Sequence, residues 1–105
     1  MKEKLFEFIE QISPELIEMS DTIFDNPEIG LQEYKASELI CNYLEKNDFV
    51  MERGICGLET AFRATYERGK NGPSIGLLCE YDALENQGHA CGHQTQGPSI
   101  AGAAI

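Results

Sequence analysis

Ser74-Ile75-Gly76-Leu77-Leu78-Cys79-Glu80-Tyr81-Asp82 is the stretch that sets the fold class. Six uncharged residues run without polar alternation and then meet two carboxylates within three positions. An apolar run of this kind is the pattern of a strand covered on both faces, as in the interior of an α/β sheet. The change of character at Glu80 marks the carboxyl end of that strand, where open α/β sheets place their sites.

Upstream, the apolar residues recur with a period of about 3.6. Leu5, Phe8/Ile9, Ile12, Leu16, Met19 and Ile23 form the stripe of an amphipathic helix. Ser13-Pro14 predicts a break or restart within it, because Ser suits an N-cap and Pro the first helical position. Asn26-Pro27 and Gly30 punctuate its end. A second helix is expected from Leu31 or Tyr34 to Asn47, with Ala36, Leu39, Ile40, Tyr43 and Leu44 on one side. Short strands are predicted over Phe49–Arg53 and Thr60–Tyr66, the latter alternating Phe62, Ala64 and Tyr66 against Arg63 and Thr65. Gly97-Pro98 then opens an apolar segment, Ser99–Ile105, read as the start of a further helix. The expected order is therefore α/β: two helices, three strands and the beginning of a helix. That order does not close a domain around an all-apolar strand, so the 105 residues read as the amino-terminal portion of something larger.

Charge narrows the class of partner. Eight Lys and Arg against eighteen Asp and Glu give a net charge of −10. Nucleic acid and anionic membrane are disfavoured, since phosphate binding needs clustered positive charge. Residues 1–60 hold fourteen of the acidic side chains, so chemistry is expected in the near-neutral remainder. No stretch approaches the ~20 apolar residues of a membrane span, and charges interrupt any candidate signal at the amino terminus. Cys41, Cys56, Cys79 and Cys91 are too sparse for a secreted disulfide scaffold, which predicts a reducing, cytoplasmic setting. Cys41 and Cys79 fall on apolar faces and are expected to be buried thiols. A thiol redox role is disfavoured because Cys-x-x-Cys is absent.

Beyond the strand end, Gly88-His89-Ala90-Cys91-Gly92-His93-Gln94 gathers both histidines and one cysteine within five residues. Thiolate and imidazole are preferred partners of zinc and similar ions, and the intervening Gly92 lets the backbone bend. Cys91 and His93 are the candidate metal ligands, with Asp82 a carboxylate that orients a ligating His. The competing reading is a polar loop whose His and Cys face solvent. His89 reads as a hydrogen-bonding loop residue ahead of a third ligand, Glu80 as a solvated strand terminus, and Tyr43 and Tyr81 as core or rim aromatics.

The segment from Ile75 to Ile105, with Glu-Tyr-Asp-Ala-Leu at 80–84 and Gly-His-Ala-Cys-Gly-His at 88–93, closely resembles the amidohydrolase branch of metallopeptidase family twenty. That branch includes hippurate, auxin-conjugate and aminobenzoyl-glutamate hydrolases and N-acyl amino acid amidohydrolases. Asn26-Pro27-Glu28-Ile29-Gly30-Leu31-Gln32-Glu33 resembles the branch's amino-terminal Pro-Glu-(apolar)-Gly-x-x-Glu signature, and the match is colinear over nearly the whole chain. The resemblance implies that residues 1–105 are part of a two-metal, aminopeptidase-like (phosphorylase/hydrolase-like) catalytic domain, without the lid and dimerisation domain. It implies Cys91 and His93 as metal ligands and Asp82 as their support. It implies two divalent ions in the complete enzyme, zinc or manganese with cobalt or nickel also suitable, and a homodimer at full length. The implied substrate is a small N-acyl amino acid or amide conjugate, its carbonyl polarised by metal while a carboxylate takes a proton from water. Gln94 departs from the family, where Asp, Asn or His is usual. The family's Glu-Glu pair has no counterpart among these residues, so the chain is expected to be inactive alone. The alternative is a non-enzymatic remnant or a small metal-binding or interaction module.

Overall fold

The computed structural model describes all 105 residues. Helix α1 spans Lys2–Asp25 without interruption, with Pro14 inside it. The expected break at Ser13-Pro14 is therefore absent. Proline removes only one intrahelical hydrogen bond, that to the carbonyl of Glu10, and both residues are exposed, so water can serve the freed oxygen. Ser13 turns inward along the helix, its hydroxyl donating to the Ile9 carbonyl at 2.6 Å instead of capping a new start. Only the later part of the apolar stripe is used. Met19 and Ile23 are buried, whereas Leu5, Phe8 and Ile9 remain exposed.

Helix α2 covers Tyr34–Lys46 and buries Ala36, Ser37, Ile40, Cys41, Tyr43 and Leu44. The expected helix and its buried thiol are both present. Strands β1 (Val50–Arg53) and β2 (Phe62–Thr65) pair antiparallel, with Met51 opposite Ala64 and Glu52 opposite Arg63. Period-two alternation turns Met51, Phe62 and Ala64 toward the core and leaves Glu52 and Arg63 as a bidentate pair at 2.7 and 2.9 Å on the wet face. Gly54, at φ 67°, supplies the left-handed conformation that ends β1.

The third strand does not form. Ile75 and Leu78 are 84% and 91% exposed, and Ser74–Glu80 joins no sheet. An open apolar groove of about 530 Å³, lined by Ile40, Leu44, Phe62, Leu77, Tyr81 and Ala101 among others, lies where β2 and this segment face one another. A strand is stabilised only through a ladder partner, and none of these residues supplies one to the 74–79 run. The architecture is thus a small α/β assembly of three helices and a two-stranded sheet, compatible with the amino-terminal part of a hydrolase domain.

Helix α3 spans His93–Ala104 and begins six residues before the expected start. Gly92, at φ 78°, is its N-cap, and the Thr95 hydroxyl and amide both donate to the Gly92 carbonyl, at 2.8 and 3.2 Å. Gly97-Pro98 lies within the helix because packing overrides the local signal. A Cβ on Gly97 would overlap Ile40, and one on Gly102 would overlap Leu16, so these glycines let α3 settle closely on α2 and α1. The core is built from Met19 and Ile23 of α1, Ala36, Ile40, Tyr43 and Leu44 of α2, Tyr81, and Ala101 of α3. No helix is long and apolar enough to cross a membrane.

Candidate metal centre

The strand-end segment carrying Asp82 is held by three contacts from different parts of the chain. The Ala83 amide donates to the Glu28 carbonyl at 2.7 Å, closing a parallel bridge between Ile29 and Ala83. The Tyr81 hydroxyl donates to the Thr60 carbonyl, and the Glu80 amide donates to Gln96 Oε1. Tyr81 is buried, and that burial pushes its phenol up to about 12. After Ala83 the chain reverses between Leu84 and Gly88, with Asn86 and Gly88 at positive φ, and delivers His89–Gly92 to the start of α3.

His93 is the first residue of α3, and its Nδ1 lies 2.8 Å from Asp82 Oδ1. A carboxylate can only accept, so Nδ1 carries a proton, and in the neutral ring Nε2 is then the nitrogen with the lone pair. That nitrogen, Nε2, faces Glu80 Oε2 at 3.4 Å. The distance is long for a hydrogen bond, yet close to the ~3.3 Å between adjacent donors on a tetrahedral ion with metal–ligand bonds of ~2.0–2.1 Å. Cys91, two residues earlier, is a free and exposed thiol. The structure therefore brings Asp82 and His93 together, sets Cys91 on the adjoining turn, and adds Glu80, which the sequence alone reads as a solvated terminus. The signal for Glu80 was available: alternate residues of an extended segment share a face, so Glu80 follows Asp82.

As a donor set, thiolate, imidazole nitrogen and carboxylate suit a borderline divalent cation. These residues make up only part of such a set, and no three His, Cys, Asp or Glu side chains converge on a common point. His89 is buried against Phe24, ring centroids 6.3 Å apart, and neither ring nitrogen has a protein hydrogen-bond partner. It is not the hydrogen-bonding loop residue expected. Gln94 Oε1 is likewise buried without a protein partner. A shallow cleft of about 260 Å³ passes between the 30–33 turn and the strand end, with Leu31, Glu33, Thr60, Glu80 and Asp82 in its walls.

No family model matches the chain. It is 32% identical to a p-aminobenzoyl-glutamate hydrolase polypeptide of Escherichia coli (strain K12), across 84% of this chain and 21% of that protein. It is 32% identical to the Xaa-Arg dipeptidase of Homo sapiens, across all of this chain and 27% of the relative. Over the matched residues the chain resembles the amidohydrolase branch of metallopeptidase family twenty. Thermostable carboxypeptidase 2 of Saccharolobus solfataricus is a further relative, 30% identical across 97% of this chain and 29% of its own length. The chain thus spans about a quarter of the length of the family-twenty proteins it matches. All three relatives are hydrolases. Both the Glu28 signature and the Asp82–His93 pair fall inside the matched span.

Proposed function

We propose that this chain provides part of the divalent-metal site of a hydrolase that cleaves the amide bond of N-acyl amino acids or related conjugates. The observation that carries the reading is the 2.8 Å contact between Asp82 Oδ1 and His93 Nδ1. It leaves Nε2 free to ligate and sets the ring's orientation, as carboxylates behind metal-bound histidines do. Cys91 and His93 are the ligands, and Glu80 is the carboxylate nearest the ligating nitrogen. When bound, such a cation polarises the scissile carbonyl and lowers the pKa of water.

The chain's own residues have three tasks in this reading. Asp82 keeps the proton on Nδ1, so that Nε2 presents a lone pair. Gly92 bends the backbone between Cys91 and the first turn of α3, allowing both side chains to serve one centre. Gln96 fixes the Glu80 backbone against α3, so strand end and helix start move as one body. No adjacent pair of glutamates is present to act as general base, so the 105 residues by themselves are not expected to turn over substrate.

Cobalt titration of the purified chain tests this reading. Cobalt uptake with a thiolate-to-metal absorption band is expected. Cys91→Ala should remove the band, and His93→Ala should weaken uptake at least tenfold. An unchanged band and affinity in both variants would overturn the assignment. Hydrolysis of an N-acyl amino acid by the metal-loaded chain would overturn the expectation of inactivity.

A further inference from the structure

Glu28 holds two parts of the molecule at once. Its carboxylate accepts from the backbone amides of Lys35 and Ala36, each at 2.9 Å, satisfying two of the free N–H groups at the start of α2. A helix of this kind is ordinarily capped by its own N-cap residue, but Glu33 occupies that position and makes no capping bond. Negative charge at the amino end also complements the helix dipole. Through its carbonyl, the same Glu28 accepts the amide of Ala83 at 2.7 Å, the residue that follows Asp82.

Relieved of capping, Glu33 reaches elsewhere. Its Oε1 accepts the hydroxyl of Thr60 at 3.4 Å, and Thr60 is buried to 4% exposure. The Thr60 carbonyl in turn accepts the hydroxyl of Tyr81, the residue that precedes Asp82. Asp82 is therefore bracketed. Its neighbour on one side is tied to Glu28, and its neighbour on the other is tied through Thr60 to Glu33. Between the two glutamates the backbone at Leu31 takes φ 70°, a strained value for a branched side chain that persists only where surroundings hold it.

We infer that Glu28 and Glu33 are positioning residues for the Asp82–His93 pair, setting the strand end at the height where Asp82 meets the His93 ring. Glu28 acts through its carbonyl on Ala83, its carboxylate anchoring that backbone to the start of α2, and Glu33 acts through Thr60 on Tyr81. For its bearing on metal binding this inference rests on the reading above, whereas the positioning itself can be measured without metal.

The experiment compares the full chain with Glu28→Ala, Glu28→Gln and Glu33→Ala, with Phe49→Ala as a variant that loosens the core outside this network. At one fixed pH and without metal, the ¹⁵N shifts of the His93 ring report the hydrogen bond to Asp82. Cobalt affinity is then measured on the same samples. Glu28→Ala is expected to move both ring shifts and to weaken cobalt binding roughly ten- to a hundredfold, the usual effect of losing support behind a ligand. Glu33→Ala should move them in the same direction by less, having one long link instead of two short ones. Glu28→Gln keeps one acceptor oxygen for a backbone amide and should recover part of the loss, so a folded variant remains if the alanine does not fold. Phe49→Ala should lower the melting temperature and leave His93 unmoved. Ring shifts unchanged in both Glu28 variants, or moved equally by Phe49→Ala, would overturn the inference. If the unmodified chain takes up no cobalt, the metal reading fails while the ring shifts still decide the positioning.

Discussion

Asp82 and His93 meet across eleven residues of chain, the carboxylate just before the Ile29–Ala83 bridge and the imidazole in the first turn of α3, with Oδ1 and Nδ1 2.8 Å apart. The pairing needs a charged acceptor to hold the proton on Nδ1. Asp82→Asn keeps the shape and an oxygen but loses the charge, so the ring is held less firmly. Cobalt binding should fall about tenfold or more, while far-UV circular dichroism stays unchanged. Equal affinity in the variant and the parent would remove Asp82 from the centre.

The close seat of α3 yields a paired prediction. A methyl group at Gly97 would run into Ile40, a wholly buried core side chain whose displacement disturbs the packing of α2 against α3. One at Gly102 would run into Leu16, which is only partly buried and can swing toward solvent. Gly97→Ala should therefore destabilise by about 1–3 kcal/mol, the usual cost of overpacking. For Gly102→Ala the better helix propensity of alanine, worth about 1 kcal/mol, should offset most of the strain. Urea midpoints of the two variants check the order, and a Gly97→Ala midpoint at or above that of Gly102→Ala would contradict it.

Much of this was legible in the residues, and the parts that were not have physical causes. Helix α2 was readable because its apolar period, its start after Gly30 and its stop at Asn47 agree with one another. Strand β2 followed from the alternation of Phe62 and Ala64 against Arg63, whereas its antiparallel pairing with β1 was not read from the sequence. The run from Ser74 to Cys79 has the composition of a buried strand, but composition states what a segment needs, and the ladder partner must come from elsewhere. Pro14 and Pro98 misled because local stop signals are worth a few kcal/mol, which tertiary packing can exceed. Cys91, His93 and Asp82 stood out as a cluster of donor types. The roles of Glu28 and Glu33 did not, because a carboxylate several residues ahead of a helix gives no sign that it caps that helix.

Proline 14 sits in the exposed middle of α1, where it deletes the hydrogen bond to Glu10. Restoring an N–H should strengthen a helix that already spans the site. Pro14→Ala is expected to stabilise the chain by about 2 kcal/mol, less than the ~3 kcal/mol propensity difference because the unfolded chain also gains freedom. Thermal unfolding followed at 222 nm reads the shift. A lower melting temperature would mean that the ring makes a contact that outweighs the missing bond.

Tyr81 gives the fold an alkaline limit with a definite sign. Its phenol is pushed up to about 12 by burial, against an ordinary value of 10.0. Below pH 10 both folded and unfolded chains keep the proton, and the stability is fully present. Between pH 10 and 12 the unfolded chain releases it while the folded chain retains it, so stability falls as pH rises through that window. A displacement of this size corresponds to about 2–3 kcal/mol lost once pH passes the folded value. The thiols of Cys41 and Cys79 are also raised by burial and add a loss of the same sign, beginning as pH rises through the ordinary thiol value. Tyr81→Phe isolates the tyrosine's share. It forfeits the hydrogen bond to Thr60 and should be less stable at pH 8, yet its urea midpoint should decline more gently than the parent's from pH 10 to 12, so that the two curves converge. Parallel curves across that interval would show that the phenol titrates alike in both states and is not sealed within the core.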